Sequence, residues 1–302
     1  MSDLREDTAA LRAFNMGITE QLGVLHDRYL DLRRPYSQAR ILWEVGHRTV
    51  RVRDLRARFD LDSGYTSRLL AALADDGVVQ ITPDPADGRG RLVTLTAAGR
   101  AEFDALEKAS QDRAERILGA LPDRRRAELL DAMGAVTRLL DAAAVRITAA
   151  DPDSEAVRFC FGRYFAEVDE RLEVGFDPSA STSADGDELR PPNGAVLVAD
   201  LRGTPVGCGA VKLHDEAAEI KRMWVSPDVR GLGLSRRLLD DLEAYAADHG
   251  ARVVRLDTNA ALGEAVALYE RSGYRRIPAY NDNTYATHWF EKVLASTRRS
   301  AG

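Results

Sequence analysis

The stretch "WVSPDVRGLGLSRRLLDDL", residues 224–242, leads from the end of an apolar strand through a glycine-containing turn into an amphipathic helix. The first turn of a helix presents unpaired backbone N–H groups and the positive end of the helix dipole, which together favour an anion such as phosphate. Gly231 and Gly233 carry no side chain that would block its approach. Positive charge is supplied by Arg230, Arg236 and Arg237. The stretch predicts a phosphate-binding turn, but a plain helix entry accounts for so short a pattern equally well.

The composition of the chain is that of a soluble globular protein with two domains. Its 302 residues exceed the usual size of one domain, and 45% of them are hydrophobic and 30% charged. No apolar run approaches the roughly 20 residues of a membrane helix, and the first residues are too charged for a secretory signal. Cys160 and Cys208 lack metal-ligand spacing and have apolar neighbours, so we expect buried free thiols. We expect a cytoplasmic protein with no membrane contact and no metal.

The spacing of apolar residues along the sequence changes near residue 143. Before it, apolar residues recur at steps of three and four, which predicts helices. The two clearest stripes are Leu11, Phe14, Ile18, Leu22, Leu25 and Tyr29, and then Leu129, Met133, Val136 and Leu140. After it, β-like runs alternate with helical segments. We predict a mainly α domain over residues 1–142 and an α/β domain over residues 143–302. The two stripes exceed what one small core can cover, so we expect a homodimer.

Residues 51–79, "RVRDLRARFDLDSGYTSRLLAALADDGVV", predict two short helices joined by a tight turn. Ser63 is placed as the N-cap of the second helix, and Gly77 ends it. The apolar stripe of the first helix is Val52, Leu55 and Phe59. The second helix turns one set toward the core, namely Tyr65, Leu69, Leu70 and Leu73, and another set outward, namely Gly64, Thr66, Ser67, Arg68 and Ala71. The outward set is mostly small or polar, as a helix lying in a DNA groove requires.

A basic hairpin follows these helices. The segments "VVQIT" and "RLVTLT" bracket the loop "PDPADGRGR", residues 83–91, which places Asp87, Arg89 and Arg91 near a hairpin tip. Between residues 33 and 100, twelve arginines stand against eight acidic residues, inside a protein of net charge −6. Such a patch favours a duplex phosphate backbone; the alternative is a helical bundle whose arginines form a solvated face. The candidate DNA-binding residues are Ser63, Thr66, Ser67, Arg68, Arg89 and Arg91.

Together with "AFNMGITEQLGVL" and the C-terminal helical pair, these motifs resemble the multiple antibiotic resistance regulator (MarR) type over residues 1–142. The resemblance implies a winged helix-turn-helix and a dimer built from the N- and C-terminal helices. It also implies that the recognition helix, which carries Arg68, lies in a major groove of double-stranded operator DNA. The "DGR" of the hairpin matches the family's Asp-x-Arg, whose arginine, here Arg89, reaches a minor groove. Many members bind a small effector, and nothing in this sequence identifies one.

The context of the opening turn excludes two common phosphate sites. No G-K-[ST] follows it, and "GLGLSR" lacks the third glycine of a dinucleotide fingerprint. The preceding "EIKRMWVSPDV" and the following "ALYERSGY" complete a pattern that resembles the GNAT acyltransferases over residues 143–302. Their signature [QR]-x-x-G-x-[GA] reads here from Arg230 to Ser235. Ser235 stands where Gly or Ala is usual and could cap the helix. Leu262 replaces a frequent Asn, whose contact with the pantetheine arm we assign to Asn259.

The GNAT resemblance implies a mixed sheet and a site for acetyl-CoA as co-substrate. Backbone N–H groups would hold its pyrophosphate at Arg230, Gly231, Leu232, Gly233, Leu234 and Ser235. The pantetheine amides would pair with a strand end that splays from its neighbour, at Met223, Trp224 and Val225. Acylation of an amine needs a base and a proton for the departing thiolate. The resemblance makes Glu219 the base and Tyr269 the acid; the alternatives are an ion pair of Glu219 with Lys221 or Arg222, and a half-buried helix aromatic.

Three functions remain open for this fusion. The first is a transcription regulator that is also an N-acetyltransferase acting on a small amine or a protein lysine. The second is a DNA-binding regulator whose C-terminal half senses acyl-CoA without chemistry, and the third is an enzyme whose DNA-binding half serves only dimerisation. Glu219 and Tyr269 favour an enzyme, whereas Arg68 and Arg89 favour a working DNA-binding half. The acceptor, expected at the loop over residues 176–192, the operator and the sign of regulation are not readable from the sequence.

Overall fold

The computed structural model describes residues 4–22, 24, 28–172, 175–178 and 186–294. Leu25 of the first apolar stripe and residues 179–185 of the predicted acceptor loop lie outside the described residues. The chain divides into two compact units, Met1–Asp131 and Ala132–Gly302. The division falls inside one helix, and the domain boundary at residue 142 stays a prediction.

The first unit consists of helices and a small three-stranded sheet. Its elements, including the helix that crosses the division, are α1 (Leu4–Leu22), α2 (Tyr36–His47), β1 (Val50–Arg51), α3 (Val52–Phe59), α4 (Ser63–Asp75), β2 (Val79–Asp84), β3 (Asp87–Leu95), α5 (Ala97–Gly119) and α6 (Asp123–Ala144). Strand β3 lies between β1 and β2 and pairs antiparallel with both. The core includes Ile41, Val45, Leu55, Leu69, Leu73 and Val93. The mainly α winged helix-turn-helix is confirmed.

Helix α4 follows α3 after a tight turn, but its N-cap is Asp62 rather than the predicted Ser63. The Asp62 Oδ1 atom accepts a hydrogen bond from the backbone N–H of Tyr65 at 2.8 Å. A carboxylate is the stronger acceptor for an unpaired N–H group, and it also faces the positive end of the helix dipole. The helix ends as predicted at Gly77, in a Schellman motif whose glycine has a φ of +71°.

The wing is a longer hairpin than its sequence predicts. Strands β2 and β3 extend to Asp84 and from Asp87, so Pro85 and Ala86 alone form the turn. The Asp84 side chain accepts a hydrogen bond from the backbone N–H of Ala86 at 3.0 Å and stabilises this tight connection. The predicted loop at residues 83–91 is therefore mostly strand, and Arg89 projects from β3 instead of from a loop.

The second unit is built on one seven-stranded sheet. Its further elements are β4 (Arg146–Ala150), α7 (Glu155–Arg171), β5 (Gly194–Leu201), β6 (Thr204–His214), β7 (Ala217–Val225), α8 (Leu234–Asp248), β8 (Val253–Thr258), α9 (Gly263–Arg271), β9 (Arg275–Ile277) and β10 (His288–Val293). The strand order is β4-β5-β6-β7-β8-β10-β9. Strands β7 and β8 run parallel, and the other neighbours run antiparallel. The predicted mixed sheet is confirmed; β4 and α7 were not predicted.

Helices cover both faces of this sheet. Leu197 of β5 packs in one apolar cluster with Leu238 of α8, and its neighbour Val196 packs in another with Val157 of α7. Successive side chains of a strand point to opposite faces, so α8 and α7 lie on opposite faces. A strand buried on both faces needs an almost continuous apolar sequence, which "GAVLVADL" supplies.

The structure bears on three expectations drawn from composition, which concern the two thiols, membrane helices and metal sites. Cys160 and Cys208 are buried free thiols, as predicted, and pack in a small cluster with Trp224. Among the described residues, no helix is both long and apolar enough to cross a bilayer. Within the same residues, no three side chains of His, Cys, Asp or Glu are grouped so that they could hold a metal ion.

Candidate active site and DNA-binding surface

Strand β7 carries a bulge near its end. Its pairing with β6 passes from Cys208↔Trp224 to Ala210↔Lys221, so three steps along β7 oppose two along β6. The extra residue falls at Arg222, whose φ is +55°. A bulge bends its strand and increases the local twist. The end of β7 is thereby turned away from a regular sheet geometry.

On its other side β7 separates from β8. The parallel pairing begins at Ala217↔Val253 and ends at Glu219↔Arg255, although β7 continues to Val225. The unpaired ends of two parallel strands form an opening at the edge where the sheet's carboxyl ends meet, a usual place for a ligand in an α/β fold. The predicted splay of this strand from its neighbour is present.

A cavity of about 520 Å³ lies at this opening. The predicted residues that line it are Met223, Trp224, Val225, Arg230, Gly231, Gly233, Leu234, Ser235 and Tyr269. Leu232 is absent from the lining, and its side chain packs against the apolar core. The structure thus brings the strand end, the glycine turn and the α9 tyrosine together around one space.

The glycine turn leaves backbone donors open. Gly231 and Gly233 have φ values of +78° and +77°, a conformation that favours glycine, and a Cβ atom on either would meet nothing within 4 Å. Gly233 is the N-cap of α8 and supplies no side-chain acceptor. In the described chain, the N–H groups of residues 231–235 have no hydrogen-bond acceptor. A pyrophosphate, with several oxygen acceptors and negative charge, fits this arrangement.

The arginines of the turn are more fully paired than expected. Arg230 donates from Nη2 to both carboxylate oxygens of Glu167, at 2.8 and 2.6 Å, and from Nε to the carbonyl oxygen of Val225 at 2.9 Å. Arg237 donates instead to the carbonyl oxygens of Ala142 and Val145, at 2.7 and 3.0 Å. Arg237 keeps its charge, but its side chain is held at these carbonyl oxygens and does not line the large cavity. The fit to phosphate depends mainly on backbone N–H groups.

The observed start of α8 changes the expected role of Ser235, and the pairing of Arg236 changes the expected charge at the turn. Helix α8 begins at Leu234, so Ser235 is its second residue and is not the cap. Arg236 pairs with Asp240 one turn along the helix at 2.8 Å. The small side chain of Ser235 still lines the cavity, as its place in the motif predicts.

A second cavity, of about 90 Å³, adjoins the first. Six residues line both: Tyr164, Val168, Met223, Leu262, Ala265 and Tyr269. No hydrogen-bond partner for the Tyr164 or Tyr269 hydroxyl occurs in the part of the chain that the structure describes. Two phenols are therefore available at the junction of a large and a small cavity.

Burial keeps both phenols protonated. It raises the pKa of Tyr269 well above that of an ordinary tyrosine, and the nearby Tyr164 and Asp257 raise it further. Burial also raises the pKa of Tyr164 to about 12, Asp257 adds to the rise and Arg222 opposes it. A phenol that is protonated at neutral pH can donate its proton to a developing anion, although a raised pKa makes it a weaker acid; the role of Tyr269 as acid stays a prediction.

Glu219 lies in a buried network of ion pairs and lines neither cavity. Its Oε1 atom accepts hydrogen bonds from the hydroxyl of Tyr280 at 2.7 Å and from Asn281 at 3.2 Å, and it lies 2.8 Å from the Nζ atom of Lys221. The same Nζ atom lies 2.8 Å from Oδ1 of Asp257. The ion pair with Lys221, the alternative that the sequence left open, is present. The role of Glu219 as a base stays a prediction.

Asn259 is placed differently from its prediction. It lines the small cavity and not the large one. Its Nδ2 atom donates to the carbonyl oxygen of Tyr285 at 2.6 Å, and its Oδ1 atom accepts from the backbone N–H of Ala261 at 2.9 Å. Both ends of the amide therefore hold the chain that leaves β8. The contact of Asn259 with the pantetheine arm stays a prediction, and Leu262 lines the large cavity.

The recognition helix presents three of its four predicted contacts. Ser63, Ser67 and Arg68 are exposed on α4. Thr66 is 0% exposed, and its hydroxyl donates to the carbonyl oxygen of Asp62 at 2.8 Å. The prediction that Thr66 faces outward is wrong, because the side of α4 that carries Thr66 packs into the unit. Arg68 extends from the helix with its guanidinium 5.8 Å from the ring of Tyr65.

The wing keeps its arginines exposed. Asp87 accepts a hydrogen bond from the backbone N–H of Arg89 at 3.1 Å and lies 3.4 Å from the guanidinium of Arg53. Arg89 and Arg91 are exposed, and neither guanidinium has a carboxylate partner among the described residues. The carboxylate orients the hairpin tip and leaves the arginine side chains available to an outside phosphate.

Comparisons with known proteins bear on both units. A model described as the acetyltransferase (GNAT) family matches residues 161–274, and one described as the MarR family matches residues 30–90. The IAA acetyltransferase of Azospirillum brasilense is 34% identical over 110 residues, which cover 36% of this chain and 72% of that protein. An uncharacterised N-acetyltransferase of Schizosaccharomyces pombe is 38% identical over 96 residues, which cover 31% of this chain and 59% of that protein.

A solved structure also resembles the first unit. A MarR variant from Escherichia coli in complex with operator DNA is 27% identical, with a TM-score of 0.38, over 45% of this chain and 99% of that chain.

The chain belongs to the GNAT acetyltransferase family. It is an N-acetyltransferase whose winged-helix unit matches the MarR family model over residues 30–90. The GNAT match begins in α7 and ends just after α9, so it contains the strand opening, the glycine turn and Tyr269. An acyl-CoA co-substrate follows from the family and fits the open donors of the turn.

Helix α7 supplies site residues of this GNAT domain that sequence reasoning missed. Tyr164, Glu167, Val168 and Arg171 all line the large cavity. They stand at positions i, i+3, i+4 and i+7, which is one face of a helix. A face that mixes a tyrosine, an acid and a base with an apolar residue could have marked a cavity wall, but by itself it resembles an ordinary half-exposed surface.

Proposed function

We propose that this GNAT protein transfers an acetyl group from acetyl-CoA to a primary amine and binds operator DNA through its MarR-type half. The observation that carries the enzymatic part is the position of Tyr269. It lines both cavities where β7 and β8 part, and its hydroxyl has no partner within the described chain. One cavity suits the coenzyme and the other suits an acceptor.

In this proposal the chain binds the coenzyme mainly through its backbone. Acetyl-CoA supplies the thioester carbonyl and the thiolate leaving group when it is bound. The N–H groups of residues 231–235 receive the pyrophosphate, and the end of β7 at Met223–Val225 orients the pantetheine amides. Val168 of α7 and Ala265 and Leu268 of α9 add apolar surface to the wall of the same cavity.

The proton balance assigns separate roles to the ionisable residues. As the amine nitrogen bonds to the carbonyl carbon, the carbon–sulfur bond breaks, and the sulfur takes the proton of the Tyr269 hydroxyl. The nitrogen loses its own proton into the chain formed by Asp257, Lys221 and Glu219, whose neighbouring charged atoms lie 2.8 Å apart. Glu219 thereby acts as a remote base and does not touch the substrate.

The distribution of lysines favours an acceptor other than the chain itself. The protein has four lysines, at positions 108, 212, 221 and 292, so the region before Lys108 offers no lysine side chain for acetylation. Lys221 is buried between two carboxylates. A guanidinium is too weak a nucleophile for this reaction, so the arginine-based DNA surface is not a substrate. A separate small amine or protein lysine remains.

The MarR-type half is proposed to bind DNA as a homodimer. In the first stripe, the side chains of Leu11, Phe14, Ile18 and Leu22 are 37% to 49% exposed. In the second, Met133, Val136 and Leu140 are likewise exposed. A second copy would bury these apolar surfaces, and a two-fold dimer matches two operator half-sites. Light scattering at micromolar concentration should return the mass of a dimer, and a monomer would contradict this part of the proposal.

One experiment tests the enzymatic proposal directly. The full-length protein is incubated with acetyl-CoA and a panel of amines and lysine peptides, and acetylated products are identified by mass spectrometry. We expect transfer to at least one amine and its loss in Tyr269→Phe. Glu219→Gln should reduce turnover most below the pKa of the acceptor amine and recover at high pH, because a neutral amine no longer needs a base.

The pairing of Glu219 with Lys221 favours a second candidate, an acyl-CoA sensor without catalysis. In that case acetyl-CoA binds tightly, no acceptor of the panel is acetylated, and operator affinity changes on addition of acetyl-CoA. Calorimetry with acetyl-CoA and fluorescence anisotropy of an operator duplex separate this outcome from an enzyme that has merely lost activity, since such an enzyme would show no coupling to DNA.

A further inference from the structure

The last turn of α6 is held by the helix that begins at the glycine turn. Arg237, in the first turn of α8, donates from Nη1 to the carbonyl oxygen of Ala142 at 2.7 Å and from Nη2 to that of Val145 at 3.0 Å. The last four carbonyl groups of an α-helix have no partner within the helix, and an arginine side chain can satisfy them. Arg237 therefore closes the C-terminal end of α6, whose last residue is Ala144.

Two more contacts fix the same turn. Asp141 pairs with Arg202, in the connection between β5 and β6, at 3.0 Å. Val145 is 4% exposed and belongs to the apolar cluster that contains Leu234, the first residue of α8. The end of α6 is thus tied to α8 by an arginine and by apolar packing, and to the sheet by an ion pair. All these contacts lie within the second compact unit, Ala132–Gly302.

Arg237 is also joined to the glycine turn through its backbone. Its N–H group donates to the carbonyl oxygen of Gly233 at 3.1 Å, and Gly233 is one of the residues whose N–H groups are proposed to receive the pyrophosphate. A ligand on these groups orders the start of α8, and it thereby lowers the entropic cost of holding the Arg237 side chain against α6. Coenzyme at the start of α8 should therefore stabilise the end of α6.

The C-terminal half of α6 carries part of the apolar surface proposed for the dimer. Val136, Leu139 and Leu140 are 37%, 65% and 42% exposed. Leu140 stands next to Asp141, so it belongs to the turn that Arg237 closes. A helix end frays at little cost in free energy, and a frayed turn does not present Leu139 and Leu140 in their helical positions. Folding of this turn is therefore a step that coenzyme binding and dimer formation both favour.

We propose that acetyl-CoA binding and homodimer formation are linked through the last turn of α6, with Arg237 as the linking residue. The inference depends on the proposed coenzyme site and on the proposed dimer. Arg237 lines neither cavity, so it acts as a positioning residue without touching the coenzyme. Linkage between two binding events is reciprocal. Acetyl-CoA should therefore strengthen the dimer, and the dimer should bind acetyl-CoA more tightly by the same factor.

The test measures both equilibria on the full-length protein. Analytical ultracentrifugation gives the dissociation constant of the dimer with and without acetyl-CoA, and calorimetry gives the acetyl-CoA affinity of monomer and dimer. We expect acetyl-CoA to lower the dimer dissociation constant by about 5- to 150-fold, the usual range for two coupled sites. Hydrogen exchange of a peptide from residues 136–145, measured by mass spectrometry on the monomer, should slow when acetyl-CoA is added.

Variants of two arginines separate the link from the stability of the turn. In Arg237→Gln, acetyl-CoA should shift neither the dimer equilibrium nor the exchange, while the monomer keeps its affinity for acetyl-CoA. Arg237→Lys should retain part of the shift, since an ammonium can still donate to a carbonyl oxygen. Arg202→Gln is the matched control, because it removes a contact to the same turn from outside α8. Its dimer should weaken without ligand, and the shift caused by acetyl-CoA should remain.

The outcomes distinguish this inference from the proposals on which it depends. A wild type that does not bind acetyl-CoA, or that stays monomeric with and without it, overturns the corresponding part of the proposed function together with the linkage. A dimer whose dissociation constant is the same with acetyl-CoA overturns the linkage alone. A shift that persists in Arg237→Gln, or a loss of acetyl-CoA binding in that variant, overturns the role of Arg237 as the link.

Discussion

The N-termini of α4 and α8 differ in how their unpaired backbone N–H groups are treated. Each helix begins with backbone N–H groups that have no partner within the helix. In α4, the side chain of Asp62 caps the first turn and brings a negative charge to the dipole. In α8, the cap is Gly233, and the N–H groups of residues 231–235 have no acceptor among the described residues and lie at the edge of a large cavity. The protein satisfies one helix start with its own side chain, and we propose that a ligand satisfies the other.

The difference follows from which part of each helix is proposed to contact a ligand. Helix α4 would meet DNA through exposed side chains such as Arg68, so its start can be closed for stability. Helix α8 would bind the coenzyme with its start, so a cap there would compete with the ligand. Helix N-termini should therefore be compared by what occupies them and not by dipole alone.

The largest expected effect comes from giving α8 the cap of α4. Gly233→Asp places a carboxylate where a pyrophosphate would bind, and aspartate tolerates a φ of +77° better than most residues. Two unit charges 4 Å apart near a protein surface repel by about 4 kcal/mol, so acetyl-CoA affinity should fall on the order of 10³-fold. Isothermal calorimetry measures the loss.

The other end of the same helix offers a control for this change. Gly250 follows α8, has a φ of +94°, and a Cβ atom there would also meet nothing within 4 Å. Gly250→Asp adds the same charge and similar strain but should leave acetyl-CoA affinity unchanged. Equal losses in the two variants would show that the effect is general destabilisation, and the comparison between the helix starts would then fail.

The next effect separates coenzyme binding at α8 from chemistry at α9. Tyr269→Phe removes only a hydroxyl and should lower kcat by about 10²–10⁴-fold with little change in acetyl-CoA affinity. Because the pKa of Tyr269 is raised, its phenol keeps its proton to a higher pH than an ordinary tyrosine, whose pKa is about 10. The pH profile of kcat should therefore show no loss from Tyr269 up to that pH. A decline near pH 9 that disappears in Tyr269→Phe contradicts the assignment.

A smaller effect tests the side chains of the closed helix and the wing. Arg68→Ala and Arg89→Ala should each weaken operator binding by about 1–3 kcal/mol if they reach base edges, and binding should depend strongly on salt. Arg124→Ala is the control, since its side chain is 91% exposed on α6 and pairs with Glu128 of the same helix. Fluorescence anisotropy with an operator duplex measures all three. Equal affinities in the wild type and both test variants would remove the DNA contacts from these residues.

Local patterns predicted most of the fold. The run "GAVLVADL" coincides with β5, and the helix expected at residues 235–249 is observed as Leu234–Asp248. These elements are marked by continuous or periodic apolar residues, which depend on near neighbours only. Helix α7 lacks so clear a signal, because the face that lines the cavity carries Glu167 and Arg171, which read as surface residues.

The site was less predictable because its decisive contacts join distant positions. Arg230 bonds to Glu167, which lies 63 residues earlier, and Lys221 bonds to Asp257, which lies 36 residues later. Motif and resemblance place single residues such as Tyr269 at the cavity, but they do not say which charges are already paired. Burial of Thr66 also depends on how α4 packs, and a helical wheel alone could not give it.

The smallest expected effect comes from the reverse of the first change, the removal of the cap at the start of α4. Asp62→Ala removes the cap, which should cost about 1 kcal/mol of helix stability. Asp62→Asn is the matched control, because asparagine caps a helix about as well as aspartate. Hydrogen exchange of a peptide from the first turn of α4, followed by mass spectrometry, reports this locally. Faster exchange in the alanine variant alone supports a self-closed helix start. Equal exchange in all three proteins would mean that Asp62 does not close it, and α4 would then differ from α8 only in lacking a cavity.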